Sequence, residues 1–298
     1  MPTSRRLHLS LVAAFGAALA LIGTGAVAQE ACKDPELIEK GKLLVAYNGD
    51  MPGTGTKDGR LVGIDGGIVN WIAGQLGLEV EPQLMEWAAE IESVKSRRVD
   101  AMHGMMGWNE ARSKVIRISD PIYYAGPLMT QKKGGGVDRI EALKDLRVAT
   151  VQGFGWVPEL QKVNPDLKLY DTSDAMIRDL VAGRVDVAFA DPPLIQYVTE
   201  QQPDLNLESL PVATPYDPEL PTITGNYQVV IGLSQDAPEL ETCINEAIAE
   251  MWKSCKNLEI ASEYGFSDRH WFSPPKENIR VGIDRPEGWQ YPQLGDCQ

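Results

Sequence analysis

The chain has 298 residues, 42 of them Asp or Glu against 28 Lys or Arg, for a formal net charge of −14. A surface this acidic offers no basic stripe to nucleic acid or anionic lipid. The length suits two domains of ordinary size.

Residues 1–28 read as a secretory leader. Arg5 and Arg6 precede an apolar stretch from Leu9 to Ile22, and Ala26-Val27-Ala28 fits the small-x-small cleavage rule. Gly16, Gly23, Thr24 and Gly25 weaken that stretch as a membrane anchor, and nothing after it is apolar enough to span a bilayer. The mature chain is therefore expected to be soluble and periplasmic. Export makes Cys32, Cys243, Cys255 and Cys297 candidates for disulfides. Cys243 and Cys255 read as lying on one helix, where a rise of about 1.5 Å per residue holds them far beyond the roughly 7 Å limit for a bridge. The remaining pairings join Cys32 to one of them and Cys297 to the other, stapling both chain ends to the late helix.

In chain order, a short helix is expected at Pro35 to Glu39, a strand at Lys42 to Tyr47, and a polar loop from Asn48 to Gly59. Ile68, Ile72 and Leu76 stand at helical spacing and predict a helix over 66–76. A strand follows at Leu78 to Glu81, Trp87 opens a helix that ends at Arg98, and Val99 to Met102 is a short buried strand. Gly104 to Gly107 then forms a loop into a helix carrying Arg112. Such a helix start presents unpaired N–H groups to an anion, with a planar guanidinium one turn behind. Val115 to Ile118 reads as a strand, and Ile122-Tyr123-Tyr124 follows the turn at Asp120-Pro121.

After Tyr124 the same order restarts. A loop at 132–136 leads to a short helix (140–146), a strand (147–151), a glycine turn at Gly153-Phe154-Gly155 opening a helix to Gln161, a strand (167–170), a capped helix (173–182) and a strand running into Asp191. Ser96-Arg97-Arg98-Val99-Asp100-Ala101-Met102 and Ala182-Gly183-Arg184-Val185-Asp186-Val187-Ala188 share the order helix end, Arg-Val-Asp, apolar strand. Two similar α/β lobes follow from that repeat. Beyond the irregular, proline-rich 211–221, a strand at Tyr227 to Leu233 and helices at Ala237 to Lys253 and Leu258 to Tyr264 precede a tail that wraps a lobe and is held there by Cys297.

Four stretches resemble the periplasmic solute-binding proteins of ABC importers, type II, in the polar amino-acid-binding family (family 3). They are Leu61-Val62-Gly63-Ile64-Asp65; Val99-Asp100-Ala101 through Glu110-Ala111-Arg112 to Ile118-Ser119-Asp120-Pro121-Ile122-Tyr123; Leu143-Lys144-Asp145-Leu146-Arg147-Val148-Ala149 before Gln152-Gly153; and Gly183-Arg184-Val185-Asp186-Val187-Ala188-Phe189-Ala190-Asp191. The resemblance spans about residues 40 to 268. It implies a two-lobed α/β fold, each lobe a mixed sheet flanked by helices, with two hinge crossovers. The implied lobes are residues 31–124 plus 226–298, and 125–225. It also implies a small-molecule ligand, an amino acid or related carboxylate, an ABC importer membrane permease as partner, and a monomer without cofactor.

The same resemblance implies roles. Arg112 pairs with the ligand carboxylate, Asp191 receives its ammonium, and Trp87 stacks on the ligand side chain. Met105 and Gly107 supply first-lobe contacts, Gly153 and Phe154 second-lobe contacts, and Asn48 stands where an acidic residue is common. Met105, Gly107 and Asn109 replace hydroxyl residues, and Phe154 and Gly155 replace threonines. These departures suggest a ligand less polar than histidine or glutamine. Met106 and Trp156 fit pocket and core equally; Trp108 and Tyr123 read as packing residues. His103 has no partner histidine nearby in sequence, so no metal site is expected. No Gly-x-Ser-x-Gly elbow, His-Glu-x-x-His helix or Walker loop occurs, and the chain reads as a binder rather than an enzyme. The alternatives are a sensor or accessory protein of a periplasmic system, and a dehydratase on the same fold using Asp191 or Glu110 as general acid.

Overall fold

A computed structural model describes Met1 and residues 35–275 and 277–297. Residues 2–28 of the expected leader, and Cys32, lie outside the described residues. The first part of the chain forms β1 (Lys42–Tyr47), β2 (Gly55–Lys57), β3 (Arg60–Val62), α1 (Ile64–Gln75), β4 (Glu79–Leu84), α2 (Trp87–Lys95), β5 (Ala101–Met102), α3 (Glu110–Ser113) and β6 (Arg117–Ile118). The crossover strand β7 (Tyr123–Ala125) leads to β8 (Leu128–Lys132), β9 (Val148–Val151), α4 (Val157–Val163), β10 (Lys168–Tyr170), α5 (Ser173–Val181), β11 (Val187–Ala190), α6 (Pro192–Gln201), β12 (Leu207–Pro211) and α7 (Pro221–Thr224). The chain returns through β13 (Tyr227–Val229) to β14 (Gly232–Leu233), α8 (Pro238–Lys253) and α9 (Lys256–Ser262).

Two five-stranded sheets repeat one plan, β4-β1-β5-β14-β6 and β10-β9-β11-β8-β12. In each, the second strand runs parallel to both neighbours and the fourth runs antiparallel to both of its own. Each antiparallel strand enters its sheet just after a crossover. The crossovers pair with each other, Tyr123 opposite Val229 and Ala125 opposite Tyr227, so a two-stranded ribbon joins the lobes. The Arg-Val-Asp repeat has a structural cause. Asp100 accepts the backbone N–H of Leu44 at 2.9 Å and of Ile38 at 2.9 Å, and Asp186 accepts that of Arg147 at 2.9 Å. Each aspartate fastens the start of the neighbouring strand in its own lobe.

The structure corrects several expectations. Residues 35–39 are irregular, with a bend at 38–39, rather than a helix, because the Ile38 N–H is taken by Asp100. The loop after β1 contains the β2–β3 hairpin. Strand β8 carries buried Thr130 and Gln131, whose polar atoms pair with Ser209 at 3.0 Å and with the backbone of Val137 at 2.8 and 3.0 Å. Internal pairing of polar groups hid this strand from a reading based on apolar runs. Helix α6 and edge strand β12 have no counterpart among the expected elements; α6 opens on Pro192 and Pro193, tolerated where the missing N–H has no helical partner. The expected single strand over 227–233 is two. Between them Val230 N–H donates to the Met106 carbonyl and Ile231 N–H to the Ser119 hydroxyl, as the chain changes partner from β7 to β5 and β6.

Cys255 is not on the helix of Cys243. Helix α8 ends at Lys253, and Cys255 stands in the left-handed region (φ 58°) at the start of α9. It is bonded to Cys297, with Cα atoms 6.0 Å apart and a sequence separation of 42. Cys243 is disulfide-bonded as well. The Cys255–Cys297 bond closes a loop whose chain entropy is worth about 4 kcal/mol. Cys297→Ser is therefore expected to lower unfolding stability by roughly 2–4 kcal/mol, measured by urea denaturation of the oxidised variant against the parent.

Candidate functional site

Six short segments converge between the lobes. The first turn of α2 brings Trp87, the turn after β5 brings Gly104, Met105 and Gly107, and α3 brings Arg112. From the other side, the turn after β9 brings Phe154, Gly155 and Trp156, and the end of β11 brings Asp191. Tyr227 and Thr222 arrive from the returning crossover. These residues enclose a cavity of about 10 Å³, room for about one water.

Arg112 is buried and ties the two lobes together. Nη1 donates to the Gly107 carbonyl at 2.5 Å and Nη2 to the Gly153 carbonyl at 2.6 Å. Its guanidinium carbon lies 5.4 Å from the centre of the Trp87 ring, within range of a cation–π contact. Burial lowers its pKa to about 10, and the charge of Asp191 opposes that fall. Helix α3 is only four residues long, and the Asn109 side chain accepts the Arg112 N–H at 2.8 Å. The expected anion site on free N–H groups is therefore partly filled by the protein's own cap; the guanidinium is the cation that faces the cavity.

Gly153 occupies the left-handed region (φ 83°), and a Cβ there would stand 3.1 Å from Trp87. Its carbonyl also accepts the Trp87 indole N–H at 3.1 Å. One backbone oxygen thus receives both first-lobe donors. Met105 is left-handed as well (φ 55°), a cost for a residue with a Cβ. Asp65, fully buried in the first turn of α1, offsets it by accepting the Met105 N–H at 2.6 Å and the Tyr123 hydroxyl at 2.7 Å. Burial pushes the Asp65 carboxyl up to about 6 against those two hydrogen bonds.

Asp191 precedes α6 without capping it; one carboxylate oxygen accepts the Tyr227 hydroxyl instead. Burial pushes its pKa up to about 7; the Tyr227 hydrogen bond opposes this, Asp50 and Asp65 reinforce it, and Arg112 lowers it. Aromatic rings complete the wall. Trp87 meets Phe154 edge-on at 6.0 Å, Phe154 meets Trp156 at 5.2 Å, and Trp156 meets Tyr227 at 5.6 Å. The Trp156 indole is fixed by Thr150 at 2.8 Å.

Of the residues anticipated from the sequence, Trp87, Met105, Gly107, Arg112, Phe154 and Asp191 line this cavity, and Gly153 reaches it through the carbonyl that Arg112 grips. Asn48 stands behind the wall: its amide donates to Asp50 at 3.1 Å, and its oxygen lies 2.7 Å from where a Cβ on Gly104 would sit. Trp156 is a lining residue, whereas Met106 packs beneath Gly232. Trp108 is buried packing, and Tyr123 is buried but hydrogen-bonded to Asp65. Sequence reasoning missed Tyr227, Thr222 and the supporting carboxylate of Asp65. A charged residue in the first turn of an otherwise apolar helix was the one available signal for Asp65; nothing along the chain links Tyr227 to Asp191. Among the described residues no group of three or more His, Cys, Asp or Glu is placed to hold a metal ion, and no helix is long and apolar enough to cross a membrane.

Residues 43–267 match the family of bacterial extracellular solute-binding proteins, family 3. The L-cystine-binding protein TcyJ of Escherichia coli (strain K12) is 26% identical over 238 residues, 76% of this chain and 84% of that protein. A probable amino-acid-binding protein, YxeM of Bacillus subtilis (strain 168), is 24% identical over 181 residues, 59% of this chain and 66% of its own length. Among solved structures, an ancestral arginine-binding protein bound to glutamine superimposes with a TM-score of 0.67 at 25% identity, covering 76% of this chain and 99% of that one. The fold is that of the type II periplasmic binding proteins.

Proposed function

The chain belongs to family 3 of the bacterial extracellular solute-binding proteins, and from that premise we propose that it captures a small carboxylate-bearing ligand, an amino acid or close relative, between its lobes. It then delivers that ligand to the permease of an ABC importer. The lobes are residues 31–124 plus 226–298, and 125–225; the protein works in the periplasm as a monomer and performs no chemistry on its cargo. The observation that carries this reading is the convergence of buried Arg112 and buried Asp191, from opposing lobes, on one cavity. A zwitterion needs one fixed cation and one fixed anion, and bridging two lobes lets its binding favour their closure. The two carbonyls on Arg112 stand in for the oxygens of a carboxylate. A cavity of about 10 Å³ does not admit an amino acid, so capture requires the lobes to part and the guanidinium to exchange Gly107 and Gly153 for ligand. The ring wall of Trp87, Phe154, Trp156 and Tyr227 favours an apolar or flat side chain over a strongly polar one.

Native mass spectrometry of the protein purified without added ligand, followed by calorimetry with L-cystine, L-glutamine and aromatic and aliphatic amino acids, tests the proposal. The expected result is a bound carboxylate with 1:1 stoichiometry, recovered unchanged after prolonged incubation. A retained compound lacking a carboxylate, or conversion of the compound by the protein, would refute it.

A further inference from the structure

The family match ends at residue 267, yet the chain after it is built into the hinge and the grip. Arg280 is fully buried. It forms an ion pair with Asp284 through Nε at 3.0 Å and Nη2 at 2.6 Å. It also donates to the carbonyls of Ser119 at 2.9 Å and Ile118 at 3.2 Å and to the Gln228 side chain at 3.4 Å. Its guanidinium carbon lies over two indole rings, 5.7 Å from that of Trp108 and 5.5 Å from that of Trp289. Asp284 in turn accepts the Trp108 indole N–H at 3.0 Å. The Trp108 backbone N–H donates to the Gln228 carbonyl at 2.8 Å, and Gly107 bridges Val229. The same tail reaches both crossovers, since Tyr291 accepts from Gln228 at 3.1 Å and the Pro292 carbonyl accepts from Tyr124 at 3.3 Å.

We infer that the tail, residues 277–297, is a strap in which Arg280 and Asp284 are positioning residues, holding the Trp108 turn, and through it the Gly107 carbonyl and Arg112, in register with the returning crossover. Trp108 is the joint. Its side chain is held by the tail and its backbone by the hinge strand, and the residue before it supplies the carbonyl that Arg112 grips. Burying a guanidinium is costly unless it is paired; Asp284 pairs it, and three carbonyl and amide acceptors satisfy its remaining donors. A loose tail would leave the turn free to shift against the hinge. Positioning errors of that kind weaken a preorganised site without changing any residue in it.

The test uses the full oxidised chain and two variants. Trp108→Phe removes the indole N–H together with part of the ring, and keeps an aromatic side chain beside Arg280; Asp284→Ala removes the acceptor and the ion pair together. Hydrogen exchange without ligand is expected to quicken at the amides of 105–112 in both variants, while strands β1 and β4 and the second lobe keep the parental rates. Binding of L-glutamine and L-cystine, an arm that rests on the proposed capture function, is expected to weaken about fivefold in Trp108→Phe, the loss of one hydrogen bond. Unchanged exchange at 105–112 in Trp108→Phe overturns the inference. Acceleration spread evenly over the first lobe also overturns it, because that pattern marks a residue needed only for stability. If the parent binds neither amino acid nor any other zwitterion, the capture reading fails, and the exchange arm still decides the strap.

Discussion

Arg112→Ala is expected to abolish binding of carboxylate ligands while the chain stays folded. In the closed arrangement Arg112 spends its hydrogen bonds on two backbone carbonyls, one in each lobe, and not on side chains of the core. A carboxylate entering the cleft replaces those acceptors with charged ones, forming the stronger bidentate pairing. Truncating one partner of such a buried, hydrogen-bonded charge pair costs about 2–5 kcal/mol, or roughly 30- to several-thousand-fold in affinity. Arg112→Lys should recover little, because a single ammonium cannot make the planar two-point contact. Arg112→Ala also removes the positive charge that lowers the Asp191 pKa, so the anion across the cleft becomes harder to ionise. Calorimetric titration with the parent's ligand, beside thermal melts of both proteins, gives the answer. Parental affinity in Arg112→Ala would rule out the amino-acid geometry.

Binding of an amino acid should tighten as pH rises from about 5 to about 7 and level off above that, and Asp191→Asn should flatten the profile. Burial holds Asp191 at about 7 against an ordinary 3.8. Between those values the folded chain keeps a proton that the unfolded chain has released. Its contribution to stability is complete below about pH 4 and is lost as pH rises through about 7. An ammonium on Asp191 makes the reverse demand, since it pairs only with the carboxylate. Below pH 7 the ligand must expel a proton, so affinity gains up to about tenfold per pH unit there. Four groups bear on Asp191, namely Tyr227, Asp50, Asp65 and Arg112. Of these, Asp65, held at about 6, titrates in the same window. It is committed to Met105 and Tyr123 and does not line the cavity. Asp191→Asn keeps Asp65, so a slope surviving in that variant would transfer the effect to Asp65 and sink the assignment. Calorimetry at pH 6 in two buffers of different ionisation enthalpy reads the released proton directly. Simple carboxylic acids, lacking the ammonium, should lose little affinity in Asp191→Asn.

The clearest gap between sequence and structure lies in polar residues that face inward. Strand β8 escaped notice because Thr130 and Gln131 broke its apolar run, although both are buried and paired inside the lobe. Asp65 and Tyr227 escaped for the same reason: each is a polar group whose partner is distant in sequence, 40 residues to Met105 and 36 to Asp191. Periodicity reports which residues leave water; it is silent on which polar groups meet. The resemblance to a known family supplied Arg112, Asp191 and Trp87 by position. It carried nothing for the tail, which lies beyond the region that resembles it.

By itself the sequence determined the two-lobed plan, because the alternation of helix and strand and the Arg-Val-Asp repeat are local signals written along the chain. It also marked the four cysteines as disulfide candidates, but the single helix that seemed to keep Cys243 from Cys255 ends at Lys253. Only the tertiary structure decided that Cys255 joins Cys297, that Tyr227 holds Asp191, and that the tail reaches Trp108. Those contacts close long loops, and loop closure depends on where the lobes place their surfaces, which no local spacing encodes. The opposed Arg112 and Asp191 belong to both accounts: their residue types are legible in the chain, and their convergence on one cavity is a product of folding.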